Sequence, residues 1–297
     1  VFTADRGGQL ALVNETTLER LVEGILPSEM YGDAPTQALQ AQAVAARSEL
    51  LADLGVRHLA DPYMTCADQR CQVYKGVDFE TARMTAAVRA TRGQVLADGE
   101  QVIKAYFSSN NGGFAGSNAH TWNELQRRYL VAHPDGPDSP THLVDGIDDE
   151  AELRDFLANP PDSFAAIPRA RETFRWTVSV TGRDLSLRVA SRYPELGPLL
   201  EMNVLERSPD GRVSRLELVG TQGRAVVERE LNVRLALGGD RPLRSALFVA
   251  DIEHAADGII TSVTLTGGGF GHGVGMCQSG SVGMADRGHD YVSILEN

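Results

Sequence analysis

The sequence predicts an α+β protein in which alanine-rich helices pack with mixed β-sheet segments, leaving a substrate groove between two lobes. Three observations carry that reading. Over residues 36–50, Leu39, Ala43, Ala46 and Leu50 recur at helical intervals among further alanines. Beyond residue 174 the pattern changes to alternation, as in Trp176, Val178 and Val180. Between the two, residues 133–172 shift to Pro, Asp and Ala, the composition of an irregular segment. The expected organisation is one domain over 1–297. It holds a helix-rich lobe (1–135), a β-rich lobe with a glycine-rich loop (174–297) and an insertion (136–173).

In chain order, residues 18–26 read as a short amphipathic helix with Leu18, Leu21, Val22 and Ile25 on one face. Pro27 interrupts it and residues 28–32 follow as a turn. Pro35 suits the start of the next helix. The alanines of that helix permit close packing, and Gln42 and Arg47 are long polar residues on a helix built for burial. Residues 72–74 are β-prone, 80–92 suggest another alanine-rich helix, and 93–107 read as a hairpin about Asp98-Gly99. A short helix is expected near 150–157. Strands are expected over 213–218 and 259–265, with Asp210-Gly211 as a turn.

The formal net charge of −12 argues against nucleic acid as a partner, because phosphate binding needs a basic surface. No apolar run approaches the ~20 residues of a membrane span. The chain opens at Val1 and stops in what reads as a running helix, the pattern of a trimmed chain lacking any targeting segment.

Residues 267–280 place seven glycines around one imidazole, that of His272. No register there gives G-x-G-x-x-G, and no P-loop Lys-Ser/Thr follows, which excludes a nucleotide-phosphate cradle. Two readings remain: a loop that a ligand approaches closely, or a tight structural turn with an incidental histidine. Cys66 and Cys71, with His58 upstream, permit either a zinc site or a small disulfide. Glu29 is either a helix-end surface charge or a partly desolvated carboxyl suited to general acid work.

Several segments taken in order resemble one family. Val22-Glu23-Gly24-Ile25-Leu26-Pro27-Ser28-Glu29-Met30, then Ala38-Leu39-Gln40-Ala41-Gln42-Ala43-Val44-Ala45-Ala46-Arg47, look like the opening of the SpoIID/LytB domain. Cys71-Gln72-Val73-Tyr74-Lys75-Gly76, Thr91-Arg92-Gly93-Gln94-Val95-Leu96, Ala105-Tyr106-Phe107-Ser108-Ser109-Asn110-Asn111-Gly112-Gly113 and Trp122 continue it. Gly271-His272-Gly273-Val274-Gly275-Met276-Cys277-Gln278 resembles its closing motif. The likeness spans 18–135 and 174–297. Cys277 stands where the family commonly has serine, and the insertion is not a recognised family feature.

The resemblance implies a cell-wall protein outside the cytoplasm, in the periplasm or cell wall. Members similar to SpoIID are lytic transglycosylases that cleave peptidoglycan glycan strands lacking stem peptides. Others, similar to LytB, are named amidase enhancers, which makes a cell-wall amidase an alternative partner. By this likeness Glu29 is the catalytic acid/base. Arg47, Gln42, Tyr106, Ser108, Asn110, His272 and Gln278 are the implied substrate-binding residues. No cofactor is required for that chemistry. Some members bind zinc through a histidine and two cysteines, for which His58, Cys66 and Cys71 are the nearest equivalents, against a disulfide or free thiols.

Overall fold

A computed structural model describes residues 1–68, 70–138, 143, 145–147 and 149–297. The architecture is α+β, and the chain divides into two units, 1–106 with 284–297, and 107–283. Among the described residues no helix is long and apolar enough to cross a membrane.

The first unit begins with a hairpin of β1 (Phe2–Ala4) and β2 (Leu10–Leu12) that the sequence pattern did not announce. Helix α1 (Leu18–Glu29) starts at Thr17, whose hydroxyl accepts from the Arg20 N–H. It does not stop at Leu26 as predicted but continues through Pro27 to Glu29. Proline forfeits one ladder hydrogen bond, a tolerable loss so near the end, and the Met30 N–H still reaches the Leu26 carbonyl at 3.0 Å. Glu29 therefore sits on the last helical turn and not in a loop.

Helix α2 (Thr36–Asp53) is buried on every side from Ala38 to Ser48 apart from Gln40. The predicted stripe understates it, because alanine lets neighbouring backbones approach all round. Helix α3 (Ala82–Ala90) is capped by Thr81 and packs on both α1 and α2. A short hairpin follows, β3 (Ala97–Asp98) with β4 (Gln101–Val102), turning about Gly99 as expected. The helix Tyr291–Glu296 packs back on α2: the Tyr291 N–H donates to Gln37 Oε1 and its hydroxyl to Gln94 Oε1, both at 2.9 Å.

The second unit opens with β5 (Phe107–Ser108), β6 (Phe114–Ala115), α4 (Asn118–Trp122) and β7 (His133–Pro134). Residues 107–135 were assigned to the helix-rich lobe from sequence, yet they belong with the glycine-rich loop. Strand β5 runs parallel to β14 (Met276–Cys277), and Asn110 and Gly116 form bridges to Phe270 and Val274. The 136–173 stretch, of which 139–142, 144 and 148 lie outside the described residues, shares a core with residues before and after it. There α5 (Glu150–Ala158), capped by Asp149, buries Leu153, Phe156 and Leu157 among Phe114, Leu247 and Val249. A further turn, α6 (Arg171–Phe174), leads into β8 (Arg175–Thr181).

Two antiparallel three-stranded sheets follow. One orders β11 (Arg224–Glu228), β10 (Val213–Gly220) and β9 (Leu199–Arg207); the other orders β12 (Phe248–His254), β13 (Ile260–Gly268) and β8. Helices α7 (Gly182–Ala190) and α8 (Glu230–Gly238) complete a shared core of Trp176, Leu185, Leu216, Val233, Phe248 and Val263, among others. After β14, α9 (Gln278–Asp286) crosses into the first unit, where the last helix is α10 (Tyr291–Glu296).

Candidate functional site

Glu29 is half-buried at the end of α1. Residues 72–75 cross this end as an extended strap, not as the strand their β-prone composition suggested, because their hydrogen bonds go to helices. The Val73 N–H donates to Glu29 Oε1 at 2.9 Å, the Lys75 N–H to Ser28 Oγ at 3.3 Å, and Gln72 Nε2 to the Ala46 carbonyl at 3.0 Å. The Tyr74 ring occupies the space where any Cβ on Gly24 would stand. Glycine inside a helix costs about 1 kcal/mol relative to alanine, and here the strap requires it.

A charged cluster lies in the last turns of α2. Glu49 lies on α2 one turn beyond Ala46 and is largely enclosed. Burial pushes its carboxyl up to about 8; Asp53 and Glu29 add to the rise and Lys104 opposes it. Lys104 Nζ is 2.7 Å from Asp53 Oδ1 and 5.3 Å from the centre of the Tyr106 ring, which ties Tyr106 to this cluster.

Arg47 faces the other way. Its residue is fully buried, and its guanidinium forks onto Glu19 with two contacts of 2.9 Å while donating to the Gln94 carbonyl at 3.0 Å. Although burial opposes it, the Arg47 hydrogen bonds and the Gly93 N–H hold Glu19 below the usual carboxylate range. The expected contact of Arg47 with substrate is thus replaced by a structural one, which joins α1, α2 and the turn after α3. Gln42, on the same helix, is likewise fully buried.

In the second unit the glycine-rich loop is packed against the protein itself. A Cβ on Gly273 would overlap the guanidinium of Arg212, and one on Gly116 would come within 2.7 Å of Asp210 Oδ2. Arg212 and Asp210 form a buried ion pair, and Arg212 also donates to the Asn111 carbonyl at 2.7 Å and the Phe114 carbonyl at 3.2 Å. His272 Nδ1 accepts from the Val274 N–H at 3.1 Å, which leaves Nε2–H to donate to the Phe107 carbonyl, and Trp122 packs 5.1 Å from its ring. Burial, aided by Arg234 and Arg212, pushes its pKa down to about 3, so the imidazole is neutral.

Asn110 spends its amide on the Ala165 carbonyl (3.1 Å) and the Gly112 N–H (2.8 Å), and its backbone pairs with Phe270. Ser108 and Gln278 are buried, the former with no hydrogen-bond partner for its hydroxyl among the described residues. Cys277 Sγ accepts from the Asn111 and Gly280 N–H groups at 3.3 and 3.2 Å. Burial and then Asp135 push its thiol up to about 12, which makes it an inert core residue.

Residues 6–97 match the family profile described as Stage II sporulation protein. Residues 116–275, more than half of the chain, belong to a domain of unknown function (DUF8618). The Stage II sporulation protein D of Bacillus subtilis is 26% identical over 96% of this chain and 73% of its own length. The amidase enhancer of the same species is 23% identical over 93% of this chain and 39% of its own. The chain belongs to the SpoIID/LytB family. An uncharacterized protein of Brachyspira hyodysenteriae is 26% identical, and this chain spans 66% of that relative's length. The 136–173 stretch lies inside the profile of unknown function and within the aligned relatives.

The SpoIID/LytB segments fall into two groups. Those of the first unit converge on Glu29 and on the Arg47–Glu19 pair; those of the second build the loop around Arg212 and His272. The zinc question turns on His58, Cys66 and Cys71, whose donor atoms lie within 4.8 Å of one another. Cys66 and Cys71 are joined in a disulfide, and His58 Nε2 lies 3.2 Å from Cys71 Sγ. Zinc takes thiolates, which a disulfide does not offer, so the set in this form does not fit the ion. Sequence reasoning passed over Glu49 and Asp53, although two acids one turn apart on an otherwise alanine- and leucine-rich helix were a usable signal. Nothing in the predicted turn at Asp210 announced a buried pair with Arg212.

Proposed function

We propose that this protein is an extracytoplasmic lytic transglycosylase that cleaves peptidoglycan glycan strands free of stem peptides. The observation that carries the reading is the convergence of two separate family segments on the Glu29 carboxylate, held by the Val73 N–H. A single carboxyl suffices for this reaction, unlike the pair of a conventional glycosidase. Protonated Glu29 donates to the glycosidic oxygen as the bond to C1 of N-acetylmuramic acid breaks. The resulting carboxylate then takes the proton of that sugar's 6-hydroxyl as its oxygen bonds to C1, closing a 1,6-anhydro ring. No water is consumed, and Glu29 ends protonated as it began.

The test is mass spectrometry of digests of intact and amidase-stripped peptidoglycan. The wild-type chain should release anhydro-muramyl products from stripped strands, and Glu29→Gln should lower their release by a hundredfold or more. Unchanged release in the variant removes Glu29 from the chemistry. The likeness to a protein named amidase enhancer supports a second reading, a glycan-binding activator of a cell-wall amidase. That reading predicts no products from either substrate, and an increased rate when a purified amidase is mixed with the chain.

A further inference from the structure

The Cys66–Cys71 disulfide takes no part in the scheme above, and its two sulfurs stand in unlike surroundings. Cys71 Sγ faces two nitrogens: His58 Nε2 at 3.2 Å and the Cys66 backbone N–H, which donates to it at 3.1 Å. The His58 ring is itself anchored. Its Nδ1 lies 2.9 Å from Asp61 Oδ2, and the ring centre is 4.9 Å from that of Tyr63. The side chains of His58 and Asp61 are mostly buried, 18% and 7% exposed. Asp61, His58 and Cys71 thus line up as carboxylate, imidazole and sulfur at hydrogen-bonding distances. Cys66 Sγ has the opposite neighbour, a carboxylate oxygen of Asp68 at 3.6 Å, and Arg70 forks onto that carboxylate at 3.1 and 2.7 Å. Both cysteines are partly exposed, so a small reagent in solvent reaches the bond.

We propose that this disulfide is a thiol-exchange site, in which an incoming thiolate bonds to Cys66 Sγ and Cys71 Sγ is the leaving group. Exchange is fastest when the departing sulfur is the one that better bears negative charge. Donors surround Cys71 and a carboxylate stands beside Cys66, so the charge settles on Cys71. The co-reactant is a low-molecular-weight thiol. It loses its proton to solvent, its sulfur bonds to Cys66 as the S–S bond breaks, and the electron pair of that bond stays on Cys71. The His58 ring takes a proton from solvent at Nε2 and donates it in a hydrogen bond to the Cys71 thiolate, with the Asp61 carboxylate on its other side. One disulfide is exchanged for another, so the step needs no oxidant. Cys71 directly precedes the strap of residues 72–75, and the exchange therefore opens the covalent anchor of the segment that holds Glu29.

The experiment treats the oxidised whole chain with reduced glutathione, quenches in acid and alkylates free thiols with N-ethylmaleimide. Trypsin then separates the two cysteines. Cleavage after Arg57, Arg70 and Lys75 leaves Cys66 in peptide 58–70 and Cys71 in peptide 71–75. In wild type, mass spectrometry should find glutathione on 58–70 and the maleimide on 71–75 in at least four-fifths of singly exchanged molecules. Any smaller share overturns the proposal. His58→Asn, a replacement that tolerates the positive φ of 56° at this position, should lower the rate of mixed-disulfide formation at least fivefold. A lesser decrease overturns it too. In guanidinium chloride the two proteins should react alike; a difference that persists there reflects local sequence and not the folded imidazole, and counts against the proposal. Rates are compared on samples with matching circular dichroism. Where His58→Asn does not match, Asp61→Asn, which removes the charge facing Nδ1, is held to the same fivefold threshold. No glycan enters the experiment, so its outcome is independent of the transglycosylase reading.

Discussion

Two ionisable residues bend the stability of this protein in opposite directions with pH. Glu49 is raised to about 8 from 4.5, so its contribution is fully present below pH 4.5 and is lost as pH rises through 8. His272 is lowered to about 3 from 6.5, so its contribution is present above pH 6.5 and is lost as pH falls toward 3. Between pH 6.5 and 5 the His272 effect amounts to about 1–2 kcal/mol after allowing for its partial exposure. Melting curves should therefore show His272→Gln falling less than wild type between pH 6.5 and 5, although it is the weaker protein at pH 7. An identical slope in the two proteins assigns the acid sensitivity elsewhere. At this scale the sequence singled out His272 and Glu29 as the groups to watch. It could not tell that the imidazole has both nitrogens engaged by backbone, since Val274 and Phe107 reach it only through the fold. Arg47 misled for a related reason: its partner Glu19 lies 28 residues away and no local pattern links them.

Among the elements, the strap over residues 72–75 carries the most consequence for its size. It has no partner strand among the described residues, and it is fixed at one end by contacts to α1 and α2 and at the other by the Cys66–Cys71 disulfide. That disulfide closes a loop with a sequence separation of 5, so the chain-entropy model gives it about 2 kcal/mol. Replacing both cysteines by serine should lower the stability of the first unit by that amount and speed hydrogen exchange at the Val73 amide, which holds Glu29. Exchange at Val73 that does not respond would mean the contacts to α1 and α2 hold the strap without the disulfide. Helices α2 and α3, the β3–β4 hairpin and strands β8, β10 and β13 were legible because apolar periodicity and turn residues are local signals. The run of α1 through Pro27 and the strap were not, because each depends on hydrogen bonds to distant partners. The helices α7 and α8 also passed unread, being short and half-exposed.

For the whole molecule, the division into units follows connectivity in an instructive way. The first unit is assembled from two pieces of chain, 1–106 and 284–297, and α10 is stitched to it through Gln37 and Gln94. The second is one continuous segment with its own core around Trp176, Leu216 and Phe248 and its own buried pair, Asp210–Arg212. Composition marked a change near residue 135, but pairing of β5 with β14 draws the boundary back to 106. A continuous segment whose three-stranded sheets and ion pair are internal, with only α9 running past its end, has what independent folding requires. A fragment of residues 107–286, cut after Asp286 so that α9 stays whole, should fold cooperatively and keep the Trp122–His272 ring contact, visible as a shifted tryptophan emission relative to the unfolded fragment. It should carry the acid-limb sensitivity of His272 and lack the alkaline loss due to Glu49, which belongs to the other unit. A fragment that stays unfolded, or one whose stability declines toward pH 8 as the full chain's does, would show that the two units do not hold their stabilities separately.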